Sequence, residues 1–318
     1  MKRLLLLSCC SFFLFSSCKE QKEEKKVVYT CSDLYADFDQ SASNKIHNGC
    51  ENNIEDVAGS KSSVYISLEY FGNDPGFCTG VAISDKTILT AAHCFETIPD
   101  RIEISNPKNS SQRISGKFIA NKLFTKNPFN KDDQYSSYVP IGDIAIIKTT
   151  DSLTKINILP AKIATKYQIG ERIITIGFGR SNENNENSGN IKRWTVTEIF
   201  KPNKKVELNV EQLNHYNKPA YKYEINRSII NDVGDTFITT KRLLGQTCNG
   251  DSGGGHFNKK GEVLTVTQGI NTNVSGLQAV PDKNDGCMVQ DAVTTYIYPY
   301  LDWIKANLSP GEKIETTE

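Results

Sequence analysis

The sequence predicts an all-β protein, a sandwich or a barrel, on three observations. From Val64 onward, short β-branched runs alternate with turn residues, which is the pattern of strands. No repeated strand-helix alternation follows, so a parallel α/β sheet is not expected. One helix is expected, and it is terminal: between Tyr296 and Leu308, Ile297, Tyr300, Leu301, Ile304 and Leu308 recur at spacings of three and four.

The expected strands cover 64–71, 80–83, 87–90, 116–120, 144–149, 172–176 and 262–269. The second and third form a hairpin turning at Ser84-Asp85-Lys86. Pro310 and Gly311 stop the terminal helix, and residues 311–318 read as a polar tail. Two Asn-, Glu- and Lys-rich segments, 182–190 and 203–222, read as loops that wall a cleft.

Upstream, the chain reads as an export signal followed by a tether. Lys2 and Arg3 precede an apolar stretch from Leu4 to Phe15, and Ser16-Ser17-Cys18 follow. A stretch of roughly 14 residues reaches about 21 Å as a helix, against an apolar bilayer thickness of about 30 Å, so a permanent span is not expected. Small residues before Cys18 resemble the lipobox of bacterial lipoproteins, which implies a lipid on that cysteine, with outer membrane or cell surface preferred. Phe15 departs from the usual leucine, and plain cleavage to a periplasmic or secreted protein is the alternative. Residues 19–26 contain no apolar side chain and read as a solvated tether. The segment 19–53 as a whole is a tether followed by a pro-segment or an N-terminal appendage, and the main domain is expected over 54–310.

Charge excludes one class of partner. Lys plus Arg and Asp plus Glu are equal at 37 each, so nothing favours nucleic acid. There are nine cysteines; Cys9 and Cys10 leave with the signal, and Cys18 is the lipid candidate. The remaining Cys31, Cys50, Cys78, Cys94, Cys248 and Cys287 are an even set, as disulfides in an oxidising compartment require. Six cysteines allow 15 connectivities, and spacing does not choose among them. With no C-x-x-C pair and no paired-histidine pattern, neither a metal site nor a cofactor is expected.

The chemistry resides in three segments. Hydrolysis of a peptide bond by a hydroxyl needs a base within hydrogen-bond reach, a carboxylate fixing that base's tautomer, and donors for the developing oxyanion. Ser252 lies in Cys248-Asn249-Gly250-Asp251-Ser252-Gly253-Gly254, whose glycines let the backbone turn and aim the Gly250 and Ser252 N–H groups into one hollow. His93 ends Thr90-Ala91-Ala92-His93-Cys94, just after a strand. Asp143 directly precedes the apolar run Ile144-Ala145-Ile146-Ile147, where partial burial demands a partner that an imidazole N–H can be. His47, His215 and His256 sit in no such pattern and read as surface or loop residues. Taken singly, Asp143 reads as a strand-end cap and Ser252 as part of a glycine turn; the set is what carries the chemistry.

These segments, in the order His, Asp, Ser, resemble the chymotrypsin and trypsin family of serine proteases. Phe77-Cys78-Thr79-Gly80, Ile176-Gly177-Phe178-Gly179 and Asp302-Trp303-Ile304 extend the resemblance over about 54–308. It implies two six-stranded antiparallel β-barrels with a C-terminal α-helix. It also implies a serine endopeptidase with His93 as base, Asp143 as orienting carboxylate, Ser252 as nucleophile, and Gly250 and Ser252 as oxyanion donors. The family's pairings imply Cys78 with Cys94 and Cys248 with Cys287, leaving Cys31 for Cys50.

Activation and specificity follow from the same resemblance. In the family, the aspartate before the nucleophile pairs with an N-terminal ammonium freed by a cut, which points to Asp251 and an activating protease. Ile-Val-Gly-Gly is absent, and Ile54 is the candidate new terminus. The pocket base falls on neutral Gln246, and Thr272, Asn273 and Val274 fall on the pocket wall, with Val274 where trypsins carry glycine. Small or uncharged polar side chains are therefore expected before the cut bond, without a preference for Lys or Arg. Protein or peptide substrates and a monomer are expected. The competing readings are a catalytically silent, lipid-anchored binding protein or adhesin, and an esterase or transferase using the same triad.

Overall fold

The computed structural model describes residues 50–51, 54–72, 75–106, 111–121, 124, 142–181, 189–200, 237–242, 247–271 and 291–317. Two closed barrels are built from them, with antiparallel pairing throughout. The first comprises β1 (Ser63–Glu69), β2 (Gly76–Ala82), β3 (Thr87–Thr90), β4 (Arg101–Ser105), β5 (Ile114–Ala120) and β6 (Ala145–Thr149), in the order β1-β2-β3-β6-β5-β4. The second comprises β7 (Arg172–Gly177), β8 (Arg193–Phe200), β9 (Phe237–Arg242), β10 (Gly255–Phe257), β11 (Val263–Asn271) and β12 (Asp291–Tyr296), in the order β10-β11-β12-β9-β8-β7. The expected architecture is thus present. Among the described residues, no helix is long and apolar enough to cross a membrane.

The apolar run that forms most of β6 explains where the barrels meet. A strand buried on one face alternates; one buried on both faces is apolar throughout. In β6 and β3, Ala145, Ile147 and Ile88 pack inside the first barrel, while Ile146 and Leu89, with Ile144 beside them, join the core shared with Trp194, Val196 and Val266 of the second. Each buried isoleucine contributes roughly 1.5–3 kcal/mol. The seam between the barrels is therefore an apolar contact made by the strands that flank Asp143 and His93.

The terminal helix is shorter than its apolar stripe suggests. Tyr296 belongs to β12, a 3-10 turn covers Tyr298–Tyr300 with Pro299 in its first positions, and the α-helix α1 spans Leu301–Ala306. Pro299 has no N–H to continue an upstream helix, so the stripe begins on a tight turn. Its face is nonetheless as expected: Ile297, Tyr300, Leu301 and Ile304 are buried in the shared core.

The polar segment after α1 is built into the fold. The Glu312 carboxylate accepts from Ser84 Oγ (2.6 Å), Lys86 N (2.8 Å) and Thr87 Oγ1 (2.9 Å), capping the β2-β3 hairpin. Burial pushes its carboxyl up, but these bonds and one from Ser309 N outweigh that and hold it below the usual carboxylate range. Further on, Thr316 pairs in parallel with Ile163, and Ile314 packs against the shared core.

His256 corrects the sequence expectation. It lies on β10, fully buried, not on a loop or the surface. Its Nδ1 is 2.8 Å from Thr175 Oγ1 and its Nε2 is 2.9 Å from Thr267 Oγ1. Thr267 Oγ1 donates to Gly254 O (3.2 Å), so it accepts from Nε2–H, and Nδ1 accepts from Thr175. A neutral imidazole thus fits, and burial pushes its pKa down to about 3. Unfolded chains take up this proton near pH 6.5 and the folded chain only near 3, so stability falls as pH drops through that window. The slope is at most about 1.4 kcal/mol per pH unit. Thermal midpoints at pH 7, 6, 5 and 4 should fall more steeply for the parent than for His256→Gln.

Candidate active site

The structure brings His93, Asp143 and Ser252 together at the seam. His93 sits in the 3-10 turn Ala92–Phe95 directly after β3. The Cys78–Cys94 disulfide ties that turn to β2, as the resemblance implied, and closing a loop of this length contributes about 3 kcal/mol. Asp143 precedes β6, and its backbone oxygen accepts from Thr295 Oγ1 of the second barrel at 2.9 Å. Ser252 precedes β10 in the turn opened by Cys248.

The distances define one relay. Asp143 Oδ1 accepts from His93 N at 2.8 Å, and Oδ2 lies 2.7 Å from His93 Nδ1. His93 Nε2 lies 2.8 Å from Ser252 Oγ. The Asp143 side chain is 0% exposed and that of His93 27%, so the carboxylate is sealed while the imidazole is reachable. With Nδ1–H donating to Asp143, Nε2 is left to accept from the Ser252 hydroxyl. Burial pushes His93 down; the charge and hydrogen bond of Asp143, with Glu96 beyond, outweigh it and raise His93 above the ordinary histidine range.

The backbone around Ser252 supplies donors. Among the described residues, neither the Gly250 N–H nor the Ser252 N–H donates a hydrogen bond, whereas Asp251 N and Gly253 N are engaged by Cys248 O and Thr267 O. Gly250 has φ +97°, and a Cβ there would lie 2.0 Å from the Phe77 ring. Only glycine fits that conformation and that space.

Thr79 is a residue whose part the sequence did not reveal. Its N–H donates to Ser252 O (2.9 Å), its hydroxyl donates to Gly250 O (2.8 Å), and the same hydroxyl accepts from Phe178 N (3.1 Å). One buried side chain on β2 thus pins the Ser252 loop of the other barrel. Its only sequence signal was a place beside Cys78 in a matching segment. Thr79→Val keeps the shape but orphans the buried Phe178 N–H, at about 1–3 kcal/mol, and frees the half-buried Gly250 carbonyl. The variant should unfold at a lower temperature, and its turnover should fall about 10-fold for a loop displacement well under 1 Å.

The Asp251 carboxylate is buried under the same loop. It accepts from Gly179 N (2.6 Å) and Cys248 N (2.8 Å). Gly177 and Gly179 leave the room it occupies, since a Cβ on either would fall within 2.4 Å of it. Burial pushes its pKa up to about 6, against the pull of those two N–H groups and of Arg193. Ile54, by contrast, begins a 3-10 turn (Ile54–Asp56) and packs against the shared core.

Several expected residues fall elsewhere. Cys50 and Cys248 each carry a disulfide, while Cys31 and Cys287, the partners the resemblance implied, lie outside the described residues. So do Gln246, Thr272, Asn273, Val274 and Cys18.

Comparison with known proteins places the chain in a family. The family model described as Trypsin matches residues 54–304. The chain belongs to the trypsin family of serine proteases. Among relatives of that family, it is 27% identical over 249 residues to the trypsin Tyr p 3.0101 of Tyrophagus putrescentiae, covering 76% of this chain and 74% of that one. It is 25% identical over 240 residues to serine protease 1 of Rattus norvegicus, covering 73% and 80%. Solved structures share the trypsin fold at lower identity: HL collagenase (TM-score 0.52, 18% identical, 82% of this chain and 98% of that one) and a scabies mite inactivated protease paralogue, S-D1 (TM-score 0.53, 13% identical, 85% and 100%). Since the second is an inactivated paralogue, the fold alone does not carry activity.

Proposed function

We propose that this chain is a serine endopeptidase that cleaves protein substrates through an acyl-enzyme. The observation that carries the reading is the unbroken relay from Asp143 through His93 to Ser252 Oγ, with 2.7 and 2.8 Å spacings. Ser252 Oγ attacks the scissile carbonyl carbon as its proton passes to His93 Nε2. The carbonyl oxygen, now negative, is held by the Gly250 and Ser252 N–H groups. The tetrahedral adduct collapses to an ester on Ser252, and His93 gives its proton to the leaving amine. Water, deprotonated by His93, then attacks the ester; as this second adduct collapses, His93 returns the proton to Ser252 Oγ and the acid is released. Asp143 holds the imidazole in the accepting tautomer and stabilises the imidazolium; it gains no proton itself.

The reading extends to the chain's setting. Export with a lipid on Cys18 would place the enzyme at a bacterial cell envelope as a tethered monomer, with Gln246, Thr272 and Val274 shaping a pocket for small or uncharged side chains. A silent binding protein on this scaffold would have no reason to keep the relay and two unengaged N–H donors. The test is labelling with a fluorophosphonate, followed by peptide mapping, alongside digestion of casein. We expect the label on Ser252 and cleavage of casein. Labelling without proteolysis would favour an esterase or transferase, and no labelling would favour the binder.

A further inference from the structure

Resting on that reading, one question is what holds the Ser252 loop in working shape. The loop's geometry depends on Asp251, and among the described residues the cation whose charge acts on Asp251 is a side chain, Arg193. Strand pairing fixes its place: Arg193 stands opposite Gly177 across β7 and β8, and the vacant Cβ position of Gly177 is where the Asp251 carboxylate lies. Arg193 Nη1 donates to Gly179 O (3.2 Å), while Gly179 N donates to Asp251 Oδ1 (2.6 Å). One residue, through its C=O on one side and its N–H on the other, thus lies between guanidinium and carboxylate. The side chain is 11% exposed, and its Nε is held by Glu51 at 2.8 Å.

The incoming chain is knitted to the same strand. Cys50 N donates to Trp194 O (2.6 Å), and Trp194 N donates to Cys50 O (3.0 Å). Residues 50–51 therefore run beside Arg193, while Ile54 begins a 3-10 helix and packs against the shared core. All of this exists in the uncut chain, with the relay formed and the oxyanion donors unengaged.

We propose that Arg193 is the resident cation of the Ser252 loop, a positioning residue that acts through Gly179 and Asp251 and makes a cut before Ile54 unnecessary for activity. A guanidinium differs from a chain-terminal ammonium in one testable way. It keeps its charge where an α-amino group of ordinary pKa, about 7.7–8.0, loses it on mild alkalinisation. It is also present from the moment the chain folds.

The experiment uses the exported full chain, with the bond before Ile54 verified as intact by mass spectrometry. Fluorophosphonate should label Ser252 in that chain as fast as in material cut between Cys50 and Val64, and kcat should stay level from about pH 8 to 10. Arg193→Gln should lower kcat about 10²-fold with little change in KM, the order for an oxyanion donor lost. Its kcat should also gain a second acidic loss beside the His93 limb, because Asp251 without its cation takes up a proton at higher pH; a merely structural role would not add that step. Arg193→Lys, which keeps the charge, should retain activity within about 10-fold of the parent and guards against a glutamine variant that does not fold. An intact chain that is inert until cut would overturn the proposal and leave the protease reading standing, as would Arg193→Gln with parental kcat. Intact and cut chains that are both inert would overturn the two readings together.

Discussion

Replacing Ser252 with alanine is expected to lower turnover of a peptide substrate by about 10⁶-fold while leaving KM nearly unchanged. The change removes one oxygen and its proton. The backbone that positions the residue stays, because Thr79 N bonds to the Ser252 carbonyl and not to its side chain. The Ser252 N–H also stays, so the oxyanion donors survive and the variant should keep a rate about 10³–10⁴ above uncatalysed hydrolysis. Steady-state kinetics on a chromogenic peptide would measure the loss, and a thermal midpoint within a degree or two of the parent would confirm an intact fold. A variant with parental turnover would remove Ser252 from the chemistry.

Asp143→Asn is expected to cost about 10⁴-fold in kcat. The carboxylate now accepts from both His93 N and His93 Nδ1–H. An amide has one acceptor oxygen and one N–H₂ group, so if its oxygen keeps the backbone N–H, its donor faces Nδ1. The imidazole is then driven to carry its proton on Nε2, where it can no longer accept from Ser252. The pH dependence should change too. Activity requires neutral His93, so the parent should lose kcat/KM as pH falls through a value above 6.5, the direction in which Asp143 and Glu96 raise His93 against its burial. With asparagine the raising charge of Asp143 is gone and burial prevails, so the acidic limb should shift to lower pH. A limb that does not move would mean that Asp143 does not set the charge on His93.

Much of the site was legible in the sequence because its parts are local. The glycines around Ser252, the strand ahead of His93 and the apolar run after Asp143 are each short contiguous segments, and their order along the chain is informative. Thr79 and Arg193 were not legible, because their roles exist only across the barrel seam or across a strand pair. A similar reason explains the strands outside the expected runs. The strands of the second barrel are rich in buried threonines, some facing its interior and others the seam: Thr175, Thr195, Thr197, Thr265, Thr267, Thr294 and Thr295. Threonine reads as polar in a hydropathy alternation but packs like valine when its hydroxyl is bonded, so β8 and β12 lacked an apolar rhythm. His256 belongs to the same network, and its burial is unreadable without the hydroxyls that meet it. In β4 the alternation of Ile102 and Ile104 is present, but charged Glu103 between them is buried against Arg101 and Arg113.

The seam gives the relay a further property. His93 and Asp143 are carried by the first barrel and Ser252 by the second, so the 2.8 Å spacing between Nε2 and Oγ is also a gauge of how the two halves are docked. Sub-global opening costs less than complete unfolding, and a slip of 1 Å along the apolar contact would part the base from the hydroxyl while every strand stayed paired. On the proposed reading, nucleophilicity at Ser252 would report on the fit of two independently closed barrels, and a loosened molecule would fall silent well before it lost its shape.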